Sequence, residues 1–220
     1  EASRNIAKLE KKLEKYRSKY EDERETNRNL QEVGSLHALR NNYNRFPRFQ
    51  DRPNQNSLRP ICAKDVDLTA CSRNFLYVPG RSAWVKSNDR HHALAFGPLH
   101  SLDETTSAWV ESSSFTSVYD RTVELFFHSK DCIYYAGSYH CHNFRKNHPR
   151  GIRISRDLSA HAIADAAITF EGGPRRVLTN FYIDGVLQVE CVGLQCVGFD
   201  HTLYEALLER FNANQPSLKR

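Results

Sequence analysis

No window of the sequence approaches the roughly 18 consecutive apolar residues that a membrane-spanning helix needs, so no membrane association is expected. The first ten residues contain no apolar core of a secretory leader, and the chain opens on Glu1 rather than Met, as a trimmed piece would. The expected compartment is intracellular, either nuclear or cytoplasmic. Signature loops are missing too. There is no G-x-S-x-G nucleophile elbow, no glycine-rich phosphate loop and no H-E-x-x-H, which excludes the enzyme classes built on them and leaves no cofactor expected. The six cysteines (Cys62, Cys71, Cys132, Cys141, Cys191, Cys196) lack the paired close spacing of a structural zinc site. They lie in apolar segments of a chain too large to need disulfide staples, and are read as reduced thiols.

What is present suits one globular core. The 220 residues are 40% apolar and 26% charged, and the net charge of +5 permits a polyanionic partner without requiring one. Near the start, Ile6, Leu9, Leu13, Tyr16, Tyr20 and Leu30 recur with 3,4 spacing, and Glu23 and Asn27 fill the remaining seam positions. This heptad pattern predicts a coiled-coil helix over 1–34, whose apolar stripe needs a second helix, so a homodimer is expected. Residues 35–60 read as a linker or extended arm. In it Arg45, Arg48, Arg52 and Arg59 interleave with Tyr43, Phe46 and Phe49. Such a segment either lies on nucleic acid through charge and stacking or wraps its own domain with the aromatics as anchors.

Residues 61–212 read as the globular domain and 213–220 as a tail. The expected fold class is α+β: the coiled-coil helix, then one mixed domain with an antiparallel, barrel-like sheet and a C-terminal helix. Asp65 to Ser72 suggests a helical turn, and Phe75 to Val78 a short strand stopped by Pro79 and Gly80. His91 to Gly97 reads as a strand with His92, Leu94 and Phe96 on one face. The clearest β signal is Thr122 to His128, a turn at Ser129, Lys130 and Asp131, then Cys132 to Cys141. Gly137 inside the second strand marks a bulge or a close approach. Asp157 is the expected cap of a short helix through Ile168. Asp184 and Gly185 predict a second hairpin between Val177 to Ile183 and Val186 to Val192. Asp200 is the expected N-cap of a final helix with the stripe Leu203, Tyr204, Leu207, Leu208 and Phe211.

The blocks RPICAKDVDL, HALAFGP, TVELFFHSKDCIYYAGSYHC and LQCVGFDHTLYEALLERF together resemble an uncharacterised fungal domain family defined by sequence, over Arg59 to Phe211. The resemblance implies that these blocks form one domain, and it carries over no catalytic residue. In texture the chain is also similar to the PUA and SRA β-barrel readers of modified bases, which implies a base-binding pocket between a GP-containing strand and a YxGxY-like strand.

Three functions are weighed. The first is a nucleic-acid-binding module for DNA or RNA, a reader of modified or flipped bases dimerised by the coiled coil, in which two weak sites act together. Its cations are Arg145, Lys146, Arg150, Arg153 and Arg156, a run without an acid. Tyr135 and Tyr139 offer stacking faces, and point the same way only if Gly137 does not bulge. Trp109 and His92, with Arg90 and His91, complete the pocket wall. The second function is a protein-interaction adaptor. The third, an enzyme acting on nucleic acid, is the least supported: Glu124 and His128, four apart on one strand face, are its acid and base candidates, with the His140 and His142 pair as the alternative. For a metal, the candidates are His140 and His142, which share a strand face while Cys141 points away. That set is too small for zinc, and no metal is expected.

Overall fold

The structure, a computed structural model, describes residues 14–15, 18–19, 21, 38–43, 45–53, 57–63, 74–85, 91–155, 158–168 and 170–214; for 62–63 and 211–214 it describes the backbone alone. The expected heptad seam, the helical turn at Asp65 to Ser72 and Arg156 all lie outside the described residues. Two compact units emerge, Glu1–Leu39 and Arg40–Arg220. In the first, residues 14–15, 18–19 and 21 are helical and exposed.

The second unit is a mixed α+β fold on one sheet. Its strands are β1 (Cys62–Ala63), β2 (Phe75–Tyr77), β3 (Ser82–Trp84), β4 (Ala93–Pro98), β7 (Thr122–Ser129), β8 (Cys132–Asn143) and β9 (Val189–Gly198), with β5 (His100–Leu102) and β6 (Trp109–Glu111) forming a separate ribbon. The main order is β2-β7-β8-β9-β4-β3, and β1 pairs with the start of β8. An all-antiparallel sheet was the expectation. Instead β2 runs parallel to β7, so the sheet is mixed. It is also open rather than a closed barrel, because the edge strands β2 and β3 do not pair with each other. The sheet nevertheless curls. Four residues link those two edges, a span of at most about 18 Å, and Trp84 on β3 meets Phe127 on β7 with ring centroids 5.3 Å apart.

Bulges supply the curl. Leu125 opposes Gly137 and Phe126 opposes Tyr135, so Ala136 has no partner on β7. On the other side of β8, Ser138 opposes Gly198 and Tyr139 opposes Cys196, leaving Val197 unopposed. One extra residue per strand bends and twists the sheet locally. Gly137 is required here: its φ is +118°, and a Cβ would sit 2.6 Å from the Gly198 carbonyl oxygen. The β7–β8 hairpin forms as expected, closed by Lys130 and Asp131 at φ 48° and 58°, the left-handed pair that matches strand twist in a two-residue turn.

Helices flank the sheet, and Arg175–Ile183 packs on the helix Ala160–Ala167. α1 (Ala160–Ala167) packs on β4, and its cap is Ser159, whose hydroxyl accepts the Ala162 N–H at 3.1 Å; the expected cap, Asp157, lies outside the described residues. α2 is Arg175–Ile183, where a strand and hairpin were expected. The cause is local. Leu178 and Tyr182, four apart, are the buried residues of this segment, which is helical spacing. Gly185 at φ +70° then ends the helix, with Val186 N–H bonding Phe181 O at 2.9 Å and Gly185 N–H bonding Tyr182 O at 3.1 Å. That pair of bonds is the Schellman stop. α3 (His201–Asn214) starts as expected, with Asp200 Oδ1 accepting the Leu203 N–H at 2.9 Å, and buries Tyr204 and Leu208.

From Arg40 onward the arm belongs to this unit. Tyr43 is buried, Phe46 stacks on His142 at 5.6 Å, and the Phe49 N–H donates to His91 Nε2 at 2.6 Å. Farther along, Arg52 donates to Ala136 O at 2.9 Å, the Arg59 N–H donates to Tyr204 Oη at 2.7 Å, and Leu58 and Ile61 enter the core. Its aromatics serve as anchors.

Candidate functional site

The bulge decides where the two tyrosines of β8 go. Residues paired across strands share a face. Tyr139 opposes Val123, whereas Tyr135 opposes Phe126 and Ser138 opposes Glu124. Tyr135 therefore lies on the face covered by α3, where its ring meets Phe199 and Tyr204, and Tyr139 lies on the opposite face. Both are fully buried. Tyr135 donates to Glu124 Oε2 at 2.5 Å, and Tyr139 donates to the His91 carbonyl at 2.9 Å. Burial pushes both hydroxyls well above their ordinary value, with Glu124 adding to the effect at Tyr135. His92 is buried as well, and its Nδ1 accepts the Cys196 N–H at 3.1 Å. As a stacking platform this trio is corrected: no ring face is open to a base.

The acid and base pair is corrected on similar grounds. Four residues of extended strand separate Glu124 from His128 by about 13 Å. Glu124 is occupied by Tyr135 and by Ser138 Oγ at 3.0 Å, while His128 Nε2 is buried without a hydrogen-bond partner. His140 and His142 do share a face, with rings 4.7 Å apart, but His142 Nε2 is bonded to Gln195 Oε1 at 2.9 Å. Among the described residues no group of three His, Cys, Asp or Glu side chains converges as a metal site would require.

The basic run is distributed among acids and carbonyls. Arg145 bonds Glu111 and reaches Glu190 Oε2 at 3.8 Å. Lys146 sits 3.4 Å from Asp120, Arg153 donates to Ile183 O at 3.3 Å, and Arg150 is exposed. Trp109, 43% exposed, stands on the ribbon strand that also carries Glu111. Trp109, Arg145 and Lys146 are thus gathered at one end of the sheet, away from Tyr135.

That end holds a site that sequence reasoning missed. Glu190 is 1% exposed. Its carboxylate accepts the Ser114 N–H at 2.7 Å and the Tyr119 hydroxyl at 2.7 Å. Tyr119 is pushed up to about 12, chiefly by burial, with Glu190 adding to it. Burial also lowers the Arg81 guanidinium, against the pull of Glu190. The signal was available as an acid inside the apolar strand VECVGLQCVG. Chemically, each oxygen of Glu190 accepts one hydrogen bond, and the carboxylate clasps the 113–119 segment to β9 with Arg145 as a counter-charge.

Apolar side chains meanwhile face solvent at Val197, the unopposed residue of the β9 bulge, and in two further places. On and just after α2 these are Val177, Phe181, Ile183 and Val186, and on β6 they are Trp109 and Val110. The cysteines Cys132, Cys141, Cys191 and Cys196 are free. Burial raises the Cys141 thiol to about 12 and the Cys191 thiol further, which holds both as unreactive thiols. No helix among the described residues is long and apolar enough to cross a membrane. Comparison with protein-family models, with curated proteins and with solved structures returns no match.

Proposed function

We propose that the chain is a protein-interaction adaptor whose globular unit receives an amphipathic helix of a partner protein on the outer face of α2. The observation that carries this reading is the exposed pair Val177 and Phe181, one turn apart on a helix whose inward residues Leu178 and Tyr182 are buried, with Ile183 and Val186 exposed at and just past its end. Clustered exposed apolar side chains mark protein contact surfaces, and apolar residues one helical turn apart suit a helix laid alongside. The helix carries an exposed Arg176 and no acid, so the partner helix has acidic residues beside its apolar stripe. The heptad helix at 1–34 supplies a second contact in this reading, with another copy of the chain.

Selection from a displayed library of random 15-residue peptides tests it. Enrichment of acidic peptides with apolar residues at i and i+4, lost against the Val177→Ser, Phe181→Ser variant, is the expected result. No enrichment, or enrichment that survives the substitutions, would overturn it. A second reading, surface binding of single-stranded DNA or RNA, is supported by exposed Trp109 on the strand whose Glu111 holds Arg145, with exposed Lys146 next to Arg145 in the chain. It requires a mobility shift that weakens with salt and with Lys146→Ala. A flipped-base pocket is not part of it.

A further inference from the structure

Among the described residues the outer edge of β6 pairs with no strand, and the β5–β6 register fixes which backbone groups lie there. Asp103 N–H bonds Ala108 O at 2.9 Å, and Ser112 N–H bonds Leu99 O at 3.0 Å. With Ser101 opposite Val110, the inward-bonding residues of this strand are Ala108, Val110 and Ser112. Antiparallel ladders alternate, so the N–H and C=O of Trp109 and Glu111 point away from β5. No strand among the described residues pairs with that edge. Trp109 and Val110 are 43% and 41% exposed.

We propose that β6 pairs antiparallel with β6 of a second copy of this chain, about a two-fold axis through Val110. The inference rests on the adaptor reading and names one partner for it. An axis at Val110 sets Trp109 opposite Glu111 of the other copy. These are the two residues whose backbone groups point outward, so each pair exchanges both N–H···O bonds, and symmetry makes four. Neighbouring registers are worse. An axis at Glu111 would oppose two like charges. An axis at Trp109 would set Ser107, whose φ of 53° breaks the strand, opposite Glu111. In the chosen register each indole also lies beside the other copy's Glu111, which already holds the Arg145 guanidinium. The carboxylate is thereby neutralised, and the guanidinium is available to the ring as a cation–π partner.

Cross-linking of the full chain with Val110→Cys, under mild oxidation, tests the pairing. Val110 and its symmetry mate form the close, non-hydrogen-bonded pair, with Cα atoms about 4.5 Å apart, within disulfide reach. The expected result is a disulfide-linked dimer from V110C and none from S101C, on the inward strand, or from the unmodified chain. Amide exchange on the unmodified chain gives a second readout: Trp109 and Glu111 should be protected at least ~10-fold more at millimolar than at low micromolar concentration. Equal cross-linking of V110C and S101C, a dimer in solution without V110C cross-linking, or unchanged exchange would each overturn the pairing. All three leave the peptide selection on α2 untouched, so failure here is separable from failure of the adaptor reading.

Discussion

Glu190 is an acid in a strand where its neighbours Cys191 and Val192 are buried, and its surroundings explain how it is tolerated. A carboxylate withdrawn from water needs hydrogen-bond partners, and here the Ser114 N–H and the Tyr119 hydroxyl bond one oxygen each while the Arg145 guanidinium lies 3.8 Å away as a counter-charge. Removing the acid strands those partners. Glu190→Ala is expected to cost about 3 kcal/mol and Tyr119→Phe about 1 kcal/mol, read as shifts of the urea midpoint. A cost for Glu190→Ala no larger than that for Tyr119→Phe would refute the clasp. The acid itself is legible in the sequence as an oddity. Its partners are not, because Ser114 and Tyr119 are more than seventy residues away. Arg175 teaches the same lesson. A cation in the first turn of a helix is unfavourable toward the dipole. It stays because its guanidinium reaches Phe170 O at 2.7 Å and Asp165 at 3.1 Å, tying α2 to the end of α1.

At the level of elements, local rules succeeded where one residue type had one use and failed where it had two. The β7–β8 hairpin and the Asp200 cap were readable because alternation and capping chemistry are local. Asp184 and Gly185 misled because a left-handed glycine serves a hairpin turn and a helix stop equally. The tie-breaker, Leu178 and Tyr182 facing inward four apart, is visible only once the core is known. The parallel pairing of β2 with β7 joins segments nearly fifty residues apart and left no sequence mark. The single unopposed Ala136 undid the site expectation, since it sends Tyr135 and Tyr139 to opposite faces. Glycine substitutions probe this geometry. At Gly172 the φ is +83° with nothing near a new Cβ, so Gly172→Ala should cost only the left-handed strain, about 1 kcal/mol. At Gly137 the φ of +118° combines with the Gly198 carbonyl at 2.6 Å, and Gly137→Ala should cost about 3 kcal/mol or more. Equal costs in thermal unfolding would mean the bulge is not what bends β8.

Across the whole second unit, the aromatic content is buried to an unusual depth for its hydroxyls, and this sets an alkaline limit on stability. Tyr43, Tyr135, Tyr139 and Tyr182 are each 1% exposed or less. Burial raises all four, and Tyr182 stands at about 12 against an ordinary value of 10. Cys141 and Cys191 move the same way from 9. For each group the folded state holds its proton more tightly than the unfolded chain does. The associated stability is therefore complete below the unfolded value and is lost as pH rises from there through the folded value. Thiols act first, above about pH 9, and tyrosines follow above about pH 10. The urea midpoint should accordingly fall steeply between pH 10 and 12. Tyr182 alone should account for about 2 kcal/mol of the loss by pH 12. The Tyr182 hydroxyl has no hydrogen bond to lose among the described contacts, so Tyr182→Phe should match the parent near pH 7 and retain about 2 kcal/mol more of its stability at pH 12. Parallel pH profiles for parent and variant would show that the ring is not held in the apolar environment from which this lability is derived.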